Sequence, residues 1–364
     1  MLDQIKTYFQ EQWAFMGHQR QREKLLVNCS QKSLVWAGPL CRKPYVLATG
    51  GLVLISVLLF AAGLTAKAAG GHCAPRGVAS LTGPSVQIKG SAFMMGSDTR
   101  HPEERPRRQA WVLNIEIDRY EVTNAGFAEF VAATGYVTVA ERPADPALYP
   151  GAPPELLKAG SFVFAQPETA IDLADFRQWW RFVPDANWRQ PEGPGSTVKG
   201  RGEHPVVHVV YQDAMAYAQW KGRDLPTEAE WEFAAKGGND TDYSWGNDRL
   251  ANGQWQANVW QGLFPLSNKL ADGFEGTSPV GCFMPNGYGL FDMAGNVWEI
   301  TKDDYSDLRG PQKGMKTIKG GSHLCGENYC DRYRPSARQP ASTDAGASHI
   351  GFRTVKRLSG EYGL

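Results

Sequence analysis

Two cysteines, Cys325 and Cys330, stand with four residues between them in the run GGSHLCGENYCDRYRPSAR, Gly320 to Arg338. Thiolates are the softest ligands a protein owns and select soft metals such as Cu(I). A near-linear Cu(I) site needs only two of them. Zinc asks for four ligands, usually at tighter cysteine spacing, and no second cysteine pair lies nearby. Ser322 precedes the first cysteine and Tyr329 adjoins the second. Arg332 and Arg334 follow, and neighbouring cations raise the thiolate fraction of a cysteine. Spacing alone favours a Cys325–Cys330 disulfide, which any oxidising compartment permits. A metal or redox pair comes second, and two inert buried thiols come third.

Whatever positions this pair must come from a chain of 364 residues, enough for one large domain or two small ones. Lysine and arginine total 38, as do aspartate and glutamate, so charge offers no argument for a nucleic-acid partner. With 40 glycines, 23 prolines and 12 tryptophans, the composition suggests a loop-rich domain pinned by aromatic residues, not a helical bundle. No Gly-rich phosphate loop, H-E-x-x-H motif or facial triad of metal ligands occurs.

Residues 1–44 carry excess positive charge, ending in Arg42 and Lys43. Tyr45 to Ala66 is then 22 residues without a charge. At about 1.5 Å per residue such a helix spans the roughly 30 Å core of a bilayer. The expectation is one transmembrane helix over 45–66 with 1–44 cytoplasmic by the positive-inside rule. Residues 67–364 would then lie outside the cytoplasm, in a periplasm or lumen. A cleaved signal peptide competes, since Ala66-Lys67-Ala68 fits an A-x-A site, but 44 residues are long for an n-region. Residues 67–84 read as a linker, 85–357 as the folded domain and 358–364 as a tail. Cys29 and Cys41 should be reduced, and Cys73 and Cys282 could pair.

Within the domain, VQIKGSAFMMGSD opens as a strand. WVLNIEIDRYEVT alternates, with Leu113, Ile115 and Ile117 on one face. The charged cluster PEERPRR between them reads as a solvated loop. Asn124 or Thr123 caps a helix with Phe127, Phe130 and Val131 at helical spacing. Residues 140–200 are irregular and rich in Pro, Gly and Trp. Val206–Val210 reads as a short buried strand. Gln212–Lys221 suits a helix ending at Gly222, and Thr227 with Glu230 makes a capping box for another that stops at Gly237.

The cysteine run, continued by SHIGFR at Ser348–Arg353, resembles the signature of formylglycine-generating enzymes, the sulfatase-modifying factors. NWRQPEGPGST, ANVWQGLFP and NGYGLFDMAGNVWE match the same family, with a pattern nearer its bacterial members. The resemblance implies an α+β, loop-rich fold of low regular secondary structure, related to C-type lectin-like domains. It implies oxidation of the cysteine in a C-x-P-x-R motif of a sulfatase to Cα-formylglycine by O2. Cys325 and Cys330 would hold Cu(I), with Ser322 and Tyr329 as polar groups lining the site. Two structural Ca2+ ions are also implied. Asn258, Val259, Asp272 and Phe274 would hold one, and Asp292, Gly295, Val297 and Glu299 the other, although the residues alone favour plain turns there. His323 and His349 read as hydrogen-bonding groups near the site. Two other classes stay open: a peptide- or sugar-binding module of the same fold without chemistry, and an oxidase of a small thiol with a closed pocket.

Overall fold

The computed structural model describes residues 83–358, apart from Ala170 and Ala174. The span expected over 45–66, the linker before residue 83 and Cys29, Cys41 and Cys73 lie outside the described residues. No helix among the described residues is long and apolar enough to cross a membrane.

Regular structure is sparse, as the glycine and proline content implies. β1 (Ser85–Ile88), β4 (Ile115–Asp118) and β13 (Val355–Arg357) form a three-stranded antiparallel sheet with β4 at its centre. Ile115 and Ile117 point into the core while Glu116 and Asp118 stay half-buried, the period-2 pattern of a half-buried strand. β9 (Trp298–Asp307) and β10 (Gly310–Lys319) form a long hairpin. β11 (Arg338–Ser342) adds antiparallel to β10, and β12 (Ile350–Gly351) adds parallel to β9. Two further antiparallel hairpins pair β2 (Ala92–Met95) with β3 (Arg108–Trp111) and β5 (Gly160–Phe164) with β6 (Trp180–Pro184). A two-residue pair, β7 (Leu250–Ala251) and β8 (Gln254–Trp255), completes the strands.

The helix ends follow from capping chemistry. In α1 (Asn124–Thr134) the Thr123 hydroxyl accepts from Gly126 N at 3.2 Å, and Gly135 ends the helix at φ 68°. α2 (Tyr211–Trp220) stops before Gly222. In α3 (Glu228–Lys236), Thr227 Oγ1 accepts from Glu230 N and Glu230 Oε2 from Thr227 N, at 3.2 and 2.8 Å. Gly237 then turns left-handed at φ 61° with its α-carbon packed against Gly287 N, which an added Cβ would meet at 2.8 Å. One core gathers Ile115, Ile117, Trp231, Phe233 and Val355. A second gathers Phe127, Phe130, Tyr217, Trp298 and Phe352, and both cysteines of the run belong to it.

Three sequence expectations need correction. Val206–Val210 is buried but is no strand. His208 sits at φ 61°, because its ring is turned inward to bond Ser161 Oγ and Pro191 O, each at 2.8 Å. The alternation over WVLNIEI breaks between β3 and β4: Val112 is buried and Leu113 is 53% exposed, since the chain crosses from one sheet to another there. PEERPRR is not simply solvated. Glu104 is 2% exposed, and Glu103 and Glu104 pair with Arg332 and Arg334, beyond the second cysteine.

Candidate active site

Gly320 and Gly321 release the chain from β10 into the cysteine loop. Gly321 lies at φ 75° against Tyr333, whose Cα would stand 2.8 Å from an added Cβ, so the two ends of the loop touch. Between them the backbone closes on itself. Cys325 N donates to Ser322 O at 2.9 Å, and Cys330 N and Asp331 N both donate to Gly326 O at 3.0 Å. This folding sets the α-carbons of Cys325 and Cys330 4.9 Å apart, with the two sulfurs bonded as a disulfide. Cys325 is 1% and Cys330 7% exposed. The reading ranked first on spacing, a disulfide, is the state described. Reduced, the same backbone offers two neighbouring thiolates. Cys282 is also disulfide-bonded.

The loop is clamped from outside. Arg332 donates from Nη1 to Cys330 O at 3.1 Å and from Nε to Glu103 at 2.8 Å. Arg334 meets Glu104 through two parallel bonds of 2.7 and 2.9 Å, and Ser336 Oγ donates to the same carboxylate at 2.6 Å. The side chains of Arg334 and Glu104 are 1% and 0% exposed. These residues have no periodic signature in sequence, and their 230-residue separation left them unreadable there.

A cavity of about 40 Å³ opens beside the cysteines, walled by Trp180, Trp298, Ser322, Cys325, Cys330 and His349. Tyr329 lies on the same wall, stacked on Phe264 at 4.5 Å and edge-on to Trp179 at 5.5 Å. Ser322 is fully buried and accepts from Leu324 N at 3.2 Å. All four residues assigned to the chemistry, Cys325, Cys330, Ser322 and Tyr329, thus surround one space. His323 is turned away, donating from Nδ1 to Asn296 O at 2.9 Å, and burial lowers its pKa to about 4. On the far side of Leu324 and His323 lies an open cleft of about 510 Å³, with Phe164, Trp260, Glu192 and Glu275 on its walls.

The residues expected to hold cations form two clusters. In the first, Asp272 accepts from Val259 N at 2.9 Å and from Phe274 N at 3.0 Å. The carbonyl of Val259 and the Asp272 carboxylate converge on one point, the Gln261 side-chain amide. Asn258 Nδ2 donates to Gly276 O at 2.9 Å. Burial raises the Asp272 pKa. In the second, Asp292, Glu299 and a residue not anticipated, Glu121, are all buried. Asp292 accepts from Gly281 N at 2.6 Å, and Glu121 accepts from Asn296 Nδ2 at 2.6 Å. Both oxygens of Glu299 are engaged by Arg353 at 2.7 Å, and one of them also by Trp231 Nε1. Burial, then Asp292 and Glu299, push Glu121 well above the usual carboxylate range, and burial raises Asp292. Three buried carboxylates against the Arg353 guanidinium leave negative charge in excess, which a low-dielectric site tolerates only with protons or a cation. No group of three or more His, Cys, Asp or Glu among the described residues is arranged to hold a metal. A cation here would draw on backbone and amide oxygens beside one or two carboxylates, as Ca2+ can.

Known proteins are similar to this chain in sequence and in fold. A family model described as "Sulfatase-modifying factor enzyme 1-like domain" matches residues 74–358. The chain is 50% identical over 288 residues to a formylglycine-generating enzyme of Mycobacterium tuberculosis, covering 74% of this chain and 96% of that one. It is 46% identical over 292 residues to a formylglycine-generating enzyme of Thermomonospora curvata, covering 74% and 91%. It is also 40% identical over 279 residues to a mouse protein named inactive C-alpha-formylglycine-generating enzyme 2, covering 74% and 84%. Among solved structures, PvdO from Pseudomonas aeruginosa shares the fold, with a TM-score of 0.50 at 24% identity over 75% of this chain and 94% of that one. The chain belongs to the sulfatase-modifying factor family, the family of the formylglycine-generating enzymes.

Proposed function

We propose that this protein is a copper-dependent oxidase that converts the cysteine of a C-x-P-x-R motif in a sulfatase to Cα-formylglycine with O2. The observation that carries the reading is the convergence of Cys325, Cys330, Ser322 and Tyr329 on one small cavity. The fold alone does not carry it, because one relative of similar identity is named inactive. The open cleft beyond Leu324 supports a polypeptide substrate over a small thiol, which calls for a closed pocket.

The donor set suits the metal. Reduced Cys325 and Cys330 supply two soft thiolates and, among the described residues, no third His or Cys is arranged with them, which fits Cu(I) and not tetrahedral zinc. Bound there, Cu(I) would supply O2 activation beside an incoming substrate thiolate. The protein's own part is positional. The Arg332 bond to Cys330 O and the Glu104–Arg334 pair fix the second cysteine. Trp180, Trp298 and Phe264 exclude bulk water. The substrate cysteine loses two electrons and two protons to O2, giving a thioaldehyde, and water converts this to the aldehyde with release of hydrogen sulfide.

Two Ca2+ ions complete the reading. The first would sit among Asn258, Val259, Asp272 and Phe274, where two of the oxygens already converge. The second would sit among Asp292, Gly295, Val297 and Glu299, where buried carboxylates are in excess. The uncharged run 45–66 would anchor the chain in a membrane, with the N-terminus cytoplasmic and this domain extracytoplasmic, an oxidising side consistent with the bonded pair.

The test is to incubate the full-length protein with a C-x-P-x-R peptide, Cu(I), a thiol reductant and O2, and to weigh the peptide. The expected mass loss is about 18 Da, a change no rung of the cysteine oxidation ladder produces. Cys325→Ser and Cys330→Ser should each abolish it. Unchanged peptide together with copper-free protein would favour the binding module.

A further inference from the structure

We propose that His349 is a further catalytic residue: together with Ser322 it holds, in the cavity beside the cysteine pair, the water that hydrolyses the thioaldehyde. The inference rests on the formylglycine-forming reading and adds a residue and a step to it.

Three buried histidines lie in this region, and two are satisfied. His208 bonds Ser161 Oγ and Pro191 O, each at 2.8 Å, and His323 bonds Asn296 O at 2.9 Å. His349 differs. It is 6% exposed, yet neither ring nitrogen has a hydrogen-bond partner among the described residues, and Nδ1 is wholly enclosed. Nδ1 lies out of reach of a water, so Nε2, which has no hydrogen-bond partner among the described residues either, is the nitrogen that a ligand in the cavity would meet. The ring is also held in place. It packs tilted against Trp180 with centroids 4.7 Å apart and the planes at 39°, and its carbonyl accepts from Trp298 N at 2.9 Å.

The space the ring lines has the right size and chemistry. The cavity of about 40 Å³ exceeds the roughly 10–15 Å³ that one water needs. Ser322 Oγ already accepts from Leu324 N, which leaves its hydroxyl proton to donate. Ser322 thus offers a donor and His349 an acceptor, two of the two to four polar partners a buried water requires. Burial, with His323 and His208 nearby, holds the His349 pKa well below the ordinary range, so the ring keeps its lone pair at neutral pH.

Cys325 and Cys330 wall the same cavity, so a substrate carbon one bond from a sulfur seated on them faces this water. The water oxygen attacks that carbon and the C–O bond forms. His349 takes the proton the water sheds and passes it to the sulfur, giving a hydroxythiol. The C–S bond then breaks, hydrogen sulfide leaves with the second proton, and the aldehyde remains. No oxidant enters this half of the reaction.

The test uses the full-length protein, a C-x-P-x-R peptide with a single cysteine, Cu(I), reductant and O2, sampled by rapid quench and mass spectrometry. A thioaldehyde lies about 2 Da below the starting peptide, whereas sulfur oxidation adds mass. Wild type should pass to the aldehyde without accumulating it. In His349→Ala the starting peptide should disappear within about 3-fold of the wild-type rate while the lighter intermediate builds. Aldehyde formation should slow about 10²-fold, the low end for a lost acid–base group. His349→Asn, which keeps an acceptor oxygen, should recover part of that loss and carries the test if the alanine variant does not fold. Aldehyde formed at the wild-type rate with no intermediate would overturn the proposal. So would a folded variant that no longer consumes peptide, since His349 would then act before the hydrolysis. A wild type that forms no aldehyde would instead remove the underlying reading.

Discussion

Glu104→Ala should be among the most damaging single changes outside the cavity, although Glu104 touches neither cysteine. Its carboxylate accepts two bonds from Arg334, at 2.7 and 2.9 Å, and one from Ser336 Oγ at 2.6 Å. Both partners of the ion pair are shut off from solvent. Truncating Glu104 leaves a guanidinium buried with poor alternatives. Arg334 Nη2 reaches Asp331 O only at 3.4 Å, Nη1 reaches Ser336 Oγ at 3.4 Å, and Nε has no partner among the described residues. Breaking one side of such a pair costs about 3–5 kcal/mol, a large share of the roughly 5–15 kcal/mol a domain has in total. The corresponding fall in melting temperature is roughly 10 °C for a domain of this size.

The assay is a double-mutant cycle by urea denaturation, with Glu104→Met, Arg334→Met and Glu104→Met/Arg334→Met, run beside Glu104→Ala. The double variant removes both charges and should recover most of the loss, because well-packed apolar replacements of buried pairs are often neutral. Native-state alkylation of the reduced protein gives a second readout, since Cys330 is 7% exposed and must open to react. Its rate in Glu104→Ala should rise about ten-fold or more. A destabilisation under about 1 kcal/mol, as for exposed pairs, would refute the reasoning, for it would mean that water or another acceptor takes the place of Glu104.

The stability contributed by keeping two buried histidines neutral should be lost as pH drops from about 6.5 toward 4. Burial lowers the pKa of His208 and His323 to about 4, so the unfolded chain takes up these protons first, at a cost of roughly 3 kcal/mol each. Asp213 and Asp292, each raised by burial to about 6, and Glu121, raised further, act in the opposite sense, so the informative quantity is the slope of His208→Gln against wild type, which should be shallower. An unchanged slope would remove His208 from the account. Saturating Ca2+ at about 100 times its dissociation constant should add roughly 2.7 kcal/mol, and a chelator should take it away. Asp292→Asn should blunt the response, whereas a melting curve indifferent to Ca2+ and chelator in the wild type would refute both cation clusters.

The elements set by local chemistry were legible from sequence. Thr123 caps one helix, and Thr227, Glu230 and Gly237 bound another, because caps are decided within a few residues. The cysteine pair and its neighbours Ser322 and Tyr329 were legible through resemblance, and the folded chain does gather them. What stayed hidden depends on contacts across the chain. PEERPRR has the composition of a solvated loop, and nothing local says that two of its glutamates meet arginines about 230 residues away. VVHVV has the composition of a strand, but His208 finds its partners in Ser161 and Pro191, and side-chain bonding there outweighs strand propensity. Glu121 carries no mark of its place among Asp292 and Glu299 until the fold closes.

These long-range contacts also bear on why one scaffold can serve active and inactive relatives. Glu103 and Glu104 grip residues after Cys330, Trp231 packs beneath Gly320, and Tyr333 closes on Gly321. None of these contacts uses a sulfur atom. The loop's path is therefore set by groups that would persist if both cysteines were replaced by residues of similar size. The proposed chemistry, by contrast, would depend on a handful of side chains around a cavity of about 40 Å³. Stability and activity should accordingly separate: Cys325→Ser should leave the domain folded and without activity, whereas Glu104→Ala should loosen the loop with its cysteines intact.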